Sequence, residues 1–77
     1  MNQEKFLTEF KEALEMEEGA ALAMSKSFRE IDEWDSLARL SLIALLDEEY
    51  EVEMESSDLE SLLSVQDLYD WVAAKKN

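Results

Sequence analysis

The sequence predicts an all-α fold, a small four-helix bundle with three main helices and one short third helix, and three observations carry that prediction. The 77 residues are 47% hydrophobic with a single glycine and no proline, so the chain has the apolar content of a packed unit and few helix breakers. Apolar residues recur at helical spacing in separate stretches. Ser57 with Glu60, and Ser64 with Asp67, have the spacing of a serine that caps a helix start and an acid that reaches back to it.

The elements follow in order. Phe6, Phe10, Ala13 and Leu14 recur at i, i+4, i+7 and i+8, which predicts a first helix from about Gln3 to Glu17 with Gly19 as its stop. From Ala20 to Trp34 the pattern breaks. This long connection spaces Leu22, Met24, Phe28 and Ile31 irregularly, and Ser27 followed by Glu30 predicts a capped short turn within it. The second helix is expected over Ser36 to Glu49, with Ala38, Leu42, Leu45, Leu46 and Tyr50 as its inward stripe. Leu37, Leu40 and Ala44 form a further stripe that runs toward Asp47 and Glu48, and a core has no use for it. An apolar strip edged by carboxylates reads as a docking surface.

After an alternating stretch, "YEVEM", read as a connection because no partner strand accompanies it, the third helix is expected over Ser57 to Leu63. It supplies Leu59, Leu62 and Leu63 to the core. The fourth is expected over Val65 to Lys75, burying Val65, Leu68, Tyr69 and Val72, with Lys75 and Lys76 at its negative end.

Length and charge bound the function. A chain of this size is one domain, residues 1–77, and domains so small bury only about 60% of the surface of the unfolded chain, which leaves little room for an enclosed active site. Without cysteine there is neither a disulfide framework nor a thiolate metal site. No apolar run approaches the roughly 20 residues of a membrane span, and "MNQEKFLTEF" has acids where a signal peptide has bases and then apolar residues, so a cytoplasmic protein is expected. The net charge is −13, with ten acids and no base between Arg39 and Lys75. Nucleic acid and anionic membrane are repelled, and basic protein partners are attracted.

Catalytic chemistry can be tested by subtraction. With no histidine and no cysteine, the common nucleophile and base pairs are absent. Paired carboxylates of the glycosidase kind need a cleft that so small a core does not leave. "DEWDSLARLSLI" lacks the central glycine and the final glutamate of a calcium-binding EF-hand loop. What remains is Ser36, at the start of the second helix. Free N–H groups and the helix dipole there favour a phosphate esterified to its hydroxyl, while the alternative is that Asp35 or Ser36 is merely the N-cap.

The stretch "WDSLARLSLIALLDEEYEVEMESSDLESLLSVQDLYDWV" resembles the acyl carrier proteins. The family marker, Asp-Ser-Leu at the start of the second helix, is matched by Asp35, Ser36 and Leu37. An apolar helix ending in acids is matched by "LIALLDEEY", and the start of the last helix by "SVQD". Ser27 and Phe28 stand where the family commonly has Ser-Phe, and the first helix matches in length and pattern. The resemblance implies that a phosphopantetheinyl transferase attaches the 4′-phosphopantetheine arm of coenzyme A to Ser36, and that acyl groups ride on the arm as thioesters. The missing thiol and the missing general base would then come from the cofactor and the transferase. Other implied partners are acyl-loading and acyl-transferring enzymes with basic surfaces, which would meet Leu37, Leu40, Ala44, Asp47 and Glu48 of a monomeric carrier. An acyl chain would retract toward Leu42, Leu46, Leu59 and Leu62.

The chain also departs from the family. Where fatty-acid carriers commonly have a glycine and a small residue ahead of the motif, it has Glu33 and Trp34, and the indole is expected to cap the core or to touch the arm or a partner. Early second-helix positions that are often acidic hold Ala38 and Ser41, and Arg39 adds a positive charge. The "EWDSLA" variant resembles stand-alone carriers of specialised pathways more than those of the main fatty acid synthase. An aminoacyl or peptidyl carrier, and an acidic interaction module without an arm, are the alternatives.

Overall fold

The computed structural model describes residues 2–17 and 21–76. Among them are α1 (Gln3–Ala13), a single 3₁₀ turn (Phe28–Glu30), α2 (Ser36–Tyr50), α3 (Ser56–Glu60) and α4 (Val65–Lys76), with no strand and one isolated bridge between Ser27 and Ser64. The three long helices share one core. Phe6 and Phe10 of α1, Leu42 and Leu46 of α2, and Leu68 and Val72 of α4 are fully buried, joined by Phe28 from the connection and Leu59 from α3. No helix among the described residues is long and apolar enough to cross a membrane.

Helix α1 begins where the Asn2 side chain accepts the Lys5 N–H at 3.1 Å. It ends at Ala13 rather than at the expected Glu17, because Glu15 adopts a left-handed conformation with φ of 55°. The Met16 N–H then bonds back to the Lys11 carbonyl and the Glu15 N–H to that of Glu12, the paired bonds of a Schellman ending. That conformation usually calls for glycine. The expected stop, Gly19, lies outside the described residues.

Helix α2 also ends on a left-handed glutamate, Glu51, whose N–H bonds to the Asp47 carbonyl. Its predicted inward stripe is inward: Ala38, Leu42, Leu46 and Tyr50 are buried and Leu45 is half-buried. Tyr50 donates a hydrogen bond to the buried carboxylate of Glu9, tying α2 to α1. Burial, then that hydrogen bond and the charge of Glu9, push the Tyr50 phenol far above its ordinary range. A raised phenol stabilises the fold in full below its unfolded value, and this contribution is lost only as strong alkali ionises it.

The alternation in "YEVEM" buries Val52 and Met54 and exposes the glutamates, without strand pairing. Helix α3 departs from expectation in register and in length. It starts at Ser56, where the Asp58 carboxylate accepts the Glu55 N–H at 3.1 Å, instead of using Ser57 and Glu60, and it is five residues long. Leu62 and Leu63 therefore lie beyond it, and Leu63 is 61% exposed rather than in the core. The cause of the early stop is Arg29. Its guanidinium donates to the carbonyls of Leu59, Glu60 and Leu62, which a continuing helix would need for itself.

The same region accounts for the long connection. Phe28 N–H bonds to the Leu63 carbonyl at 3.1 Å, and the Val65 and Gln66 N–H groups of α4 bond to the carbonyls of Lys26 and Met24 at 3.1 and 2.7 Å. The Ser64 hydroxyl accepts the Asp67 N–H and the Asp67 carboxylate accepts that of Ser64, as the serine and acid spacing predicts. Thus the free N–H groups at the start of α4 are paired, two of them by the connection. Ser27 makes no capping bond to its turn, contrary to expectation, and pairs with Ser64 through the backbone instead.

Removing the guanidinium should therefore loosen α3 without touching α2. In Arg29→Ala, amide exchange at Leu59, Ser61 and Leu62 should accelerate roughly 10-fold, the size expected for charged hydrogen bonds that stabilise by about 1.5 kcal/mol, while the amides of α2 keep their rates. Unchanged exchange in α3 would show that Arg29 does not hold it.

Candidate functional site

The site is built at the entrance to α2. Trp34 packs edge-on against Phe28 with ring centroids 4.8 Å apart, and the backbone N–H of Trp34 bonds to the Ile31 carbonyl at 3.0 Å. Phe28 is fully buried and also meets Phe10 of α1, so the indole covers the core and fixes the path by which the chain enters the helix. Asp35 is extended, and its carboxylate accepts the Ala38 N–H at 2.7 Å. Asp35 is thus the N-cap.

Ser36, the first helical residue, is exposed, and among the described residues its hydroxyl makes no hydrogen bond. Because Asp35 caps the helix, the serine is left available for chemistry. It stands in the first turn of a 15-residue helix, where free N–H groups and the dipole lower the energy of an attached anion. This setting suits a phosphate ester.

Beyond the serine, α2 turns two faces. Ala38 is buried against the core, while Leu37 and Leu40 are 68% and 60% exposed. Ala44, Asp47 and Glu48 are exposed further along the outer face. The surplus apolar stripe therefore lies on the surface and ends in carboxylates. Leu42, Leu46 and Leu59 are fully buried members of the one core cluster, with Leu62 half-buried against it.

Two features are absent from the sequence reading. A cleft of about 210 Å³ opens between the end of α1 and the start of α2, lined by Leu14, Glu15, Glu33, Asp35, Leu37 and Ala38 among others. Arg39, one turn after Ser36, is half-buried; its Nε is shielded from solvent and bonded to nothing, and among the described residues the guanidinium has no hydrogen bond or ion pair. Arg39 was legible as the one base in a stretch of acids, but its burial was not. Among the described residues no group of three acids, histidines or cysteines suits a metal ion.

The family described as the phosphopantetheine attachment site matches residues 4–72 of the chain. Among solved structures, the holo acyl carrier protein from Geobacter metallireducens, determined by NMR in solution, is 29% identical with a TM-score of 0.76. The match covers 94% of this chain and 82% of that one. No curated protein matches the chain.

The division of labour between Asp35 and Ser36 is measurable. Asp35→Ala should cost about 0.5–2 kcal/mol of unfolding free energy through the lost cap, whereas Ser36→Ala should stay within about 0.5 kcal/mol of wild type. Equal losses in denaturant titrations would mean that the two residues share the cap.

Proposed function

Given that the chain belongs to the phosphopantetheine-attachment family of acyl carrier proteins, we propose that Ser36 is the residue that bears its arm and that residues 1–77 act as one carrier domain. The observation that carries this reading is the Asp35 cap, which leaves the Ser36 hydroxyl exposed and unbonded at a helix start. The covalently attached 4′-phosphopantetheine supplies a terminal thiol that holds acyl groups as thioesters. The chain is a carrier, not a catalyst, and serves enzymes as their cofactor-bearing partner.

Loading makes modest demands on the chain. Ser36 Oγ forms the new bond to phosphorus as its proton passes to a base on the transferase, and the diphosphate of coenzyme A breaks to release 3′,5′-ADP. The chain itself has no histidine to act as that base. Its own contributions are an accessible hydroxyl held at a fixed place by the cap, and a helix start that favours the resulting phosphate.

Recognition falls to the outer face of α2. Leu37, Leu40 and Ala44 would meet an apolar patch on the partner, while Asp47 and Glu48 would meet its bases, in the transferase and in acyl-loading and acyl-transferring enzymes alike. We read the carrier as a cytoplasmic monomer, and Glu33, Trp34 and Arg39, at positions where the common carriers differ, support service to a specialised pathway rather than the main fatty acid synthase.

Arm transfer, followed as a gain in intact mass with coenzyme A and a promiscuous transferase, should slow as salt screens the acidic face. Reversing Asp47 and Glu48 to Lys should reproduce the slowing at low salt. A second-order rate indifferent to both changes would remove these carboxylates from partner recognition, and no gain in mass would remove Ser36 as the attachment site.

For the cargo, we propose shelter in the part of the core that Leu42, Leu46, Leu59 and Leu62 supply, since each buried methylene stabilises by about 0.8 kcal/mol and α3 is only one short turn. A second reading, an aminoacyl or peptidyl carrier, draws support from Glu15, Glu33 and Asp35 around the cleft, which would suit an ammonium-bearing group. An eight-carbon acyl form should show its largest amide shifts at Leu42, Leu46, Leu59 and Leu62, and Leu46→Trp should suppress them. Shifts confined to Leu14, Ala38 and Ser41 would place the cargo in the cleft.

A further inference from the structure

We propose that Arg39 holds the phosphate of the arm attached to Ser36, so that a guanidinium without a partner among the described residues gains one on loading. The inference rests on Ser36 as the attachment site. Its own basis is the state of Arg39: a half-buried cation whose Nε is closed to solvent and has no acceptor. Buried guanidinium nitrogens ordinarily find a carboxylate or a carbonyl, and in this chain even the exposed Arg29 donates to three carbonyls.

Possible partners are near at hand and are not used. Asp35, at i−4, spends its carboxylate on the Ala38 N–H. The one ion pair among the described residues joins Lys26 to Glu30, in a chain where acids outnumber bases by 20 to 7. What sets Arg39 apart from the other bases is that its Nε has neither an acceptor among the described residues nor access to water.

Helical spacing supplies the position. Residues at i and i+3 are neighbours on the helix surface, with Cβ atoms about 5–6 Å apart, so Arg39 stands one turn above Ser36. Long side chains on a helix also lean toward the turn N-terminal to their own Cα, which is the turn that holds Ser36. A phosphodiester there would present two non-bridging oxygens that share one negative charge to a planar fork of donors suited to receive them. The acids nearest the serine, Glu33 and Asp35, oppose an added phosphate, and Arg39 is the one base in α2 that offsets them. Arg39 is accordingly a positioning residue: it restrains the root of the arm while the thiol end stays free.

The test follows the Arg39 Nε–Hε signal by NMR in full-length protein before and after loading, with Arg29 as the internal control. Loading confirmed by mass should move the Arg39 signal downfield and slow its solvent exchange several-fold, leaving Arg29 in place. Loading should also raise the unfolding midpoint of wild type, raise it less in Arg39→Lys, which keeps charge without the fork, and raise it least in Arg39→Gln, where only the helix start favours the phosphate. An arm found on Ser36 with the Arg39 signal unmoved and the same midpoint change in all three proteins overturns the pairing while the attachment site stands. Wild type that takes no arm overturns both.

Discussion

The hydrogen bond from the Ala38 N–H to the Asp35 carboxylate, 2.7 Å long, fixes where α2 begins, and most of the molecule is arranged by that beginning. Moving the start by one residue would rotate the helix by about 100° and carry Ala38, Leu42 and Leu46 off the core. It would also draw Ser36 into capping and remove the free hydroxyl. A single acidic side chain thereby sets both the packing face of the helix and the chemistry of its first residue. Trp34, edge-on to Phe28, holds the chain just ahead of the cap and makes the same start reproducible.

The connection before α2 is the second organising part. It is irregular in itself, yet its carbonyls receive the first N–H groups of α4, Phe28 fills the core, and Arg29 closes the end of α3. A segment without helical pattern thus serves as the cap of one helix and the stop of another. Mobility follows from this arrangement. Helix α3 is only five residues long and is held by one exposed guanidinium and Leu59, while α1 and α2 are joined by the Phe6 to Tyr50 ring contact and the Tyr50 to Glu9 hydrogen bond. Any opening of the core to a cargo costs least beside α3.

Much of this was legible in the sequence because it depends on local spacing. The fourth helix follows from Ser64 and Asp67, and the exposed stripe of Leu37 and Leu40 from an excess of apolar residues over what one helix face can bury. The ends of α1 and α3 were not legible, for different reasons. Helix α1 stops on a left-handed Glu15, a conformation that residue type argues against, and a Schellman pair of bonds compensates for it. At α3 two overlapping serine and acid registers compete, and Arg29, 30 residues away from Leu59 in the chain, decides the outcome through bonds that no local pattern encodes. The candidate site divides in the same way. Asp35, Ser36 and Leu37 are a motif, whereas the unpaired Nε of Arg39 and the cleft beside α1 exist only once the chain has folded.

The Asp35 cap singles out one hydroxyl among those of eight serines, at positions 25, 27, 36, 41, 56, 57, 61 and 64. Fragmentation of the loaded protein in a mass spectrometer locates the arm residue by residue. The added mass should lie on Ser36 and on no other serine. Added mass on Ser41, Ser56 or Ser57, each of which also lies in a helix, would contradict it.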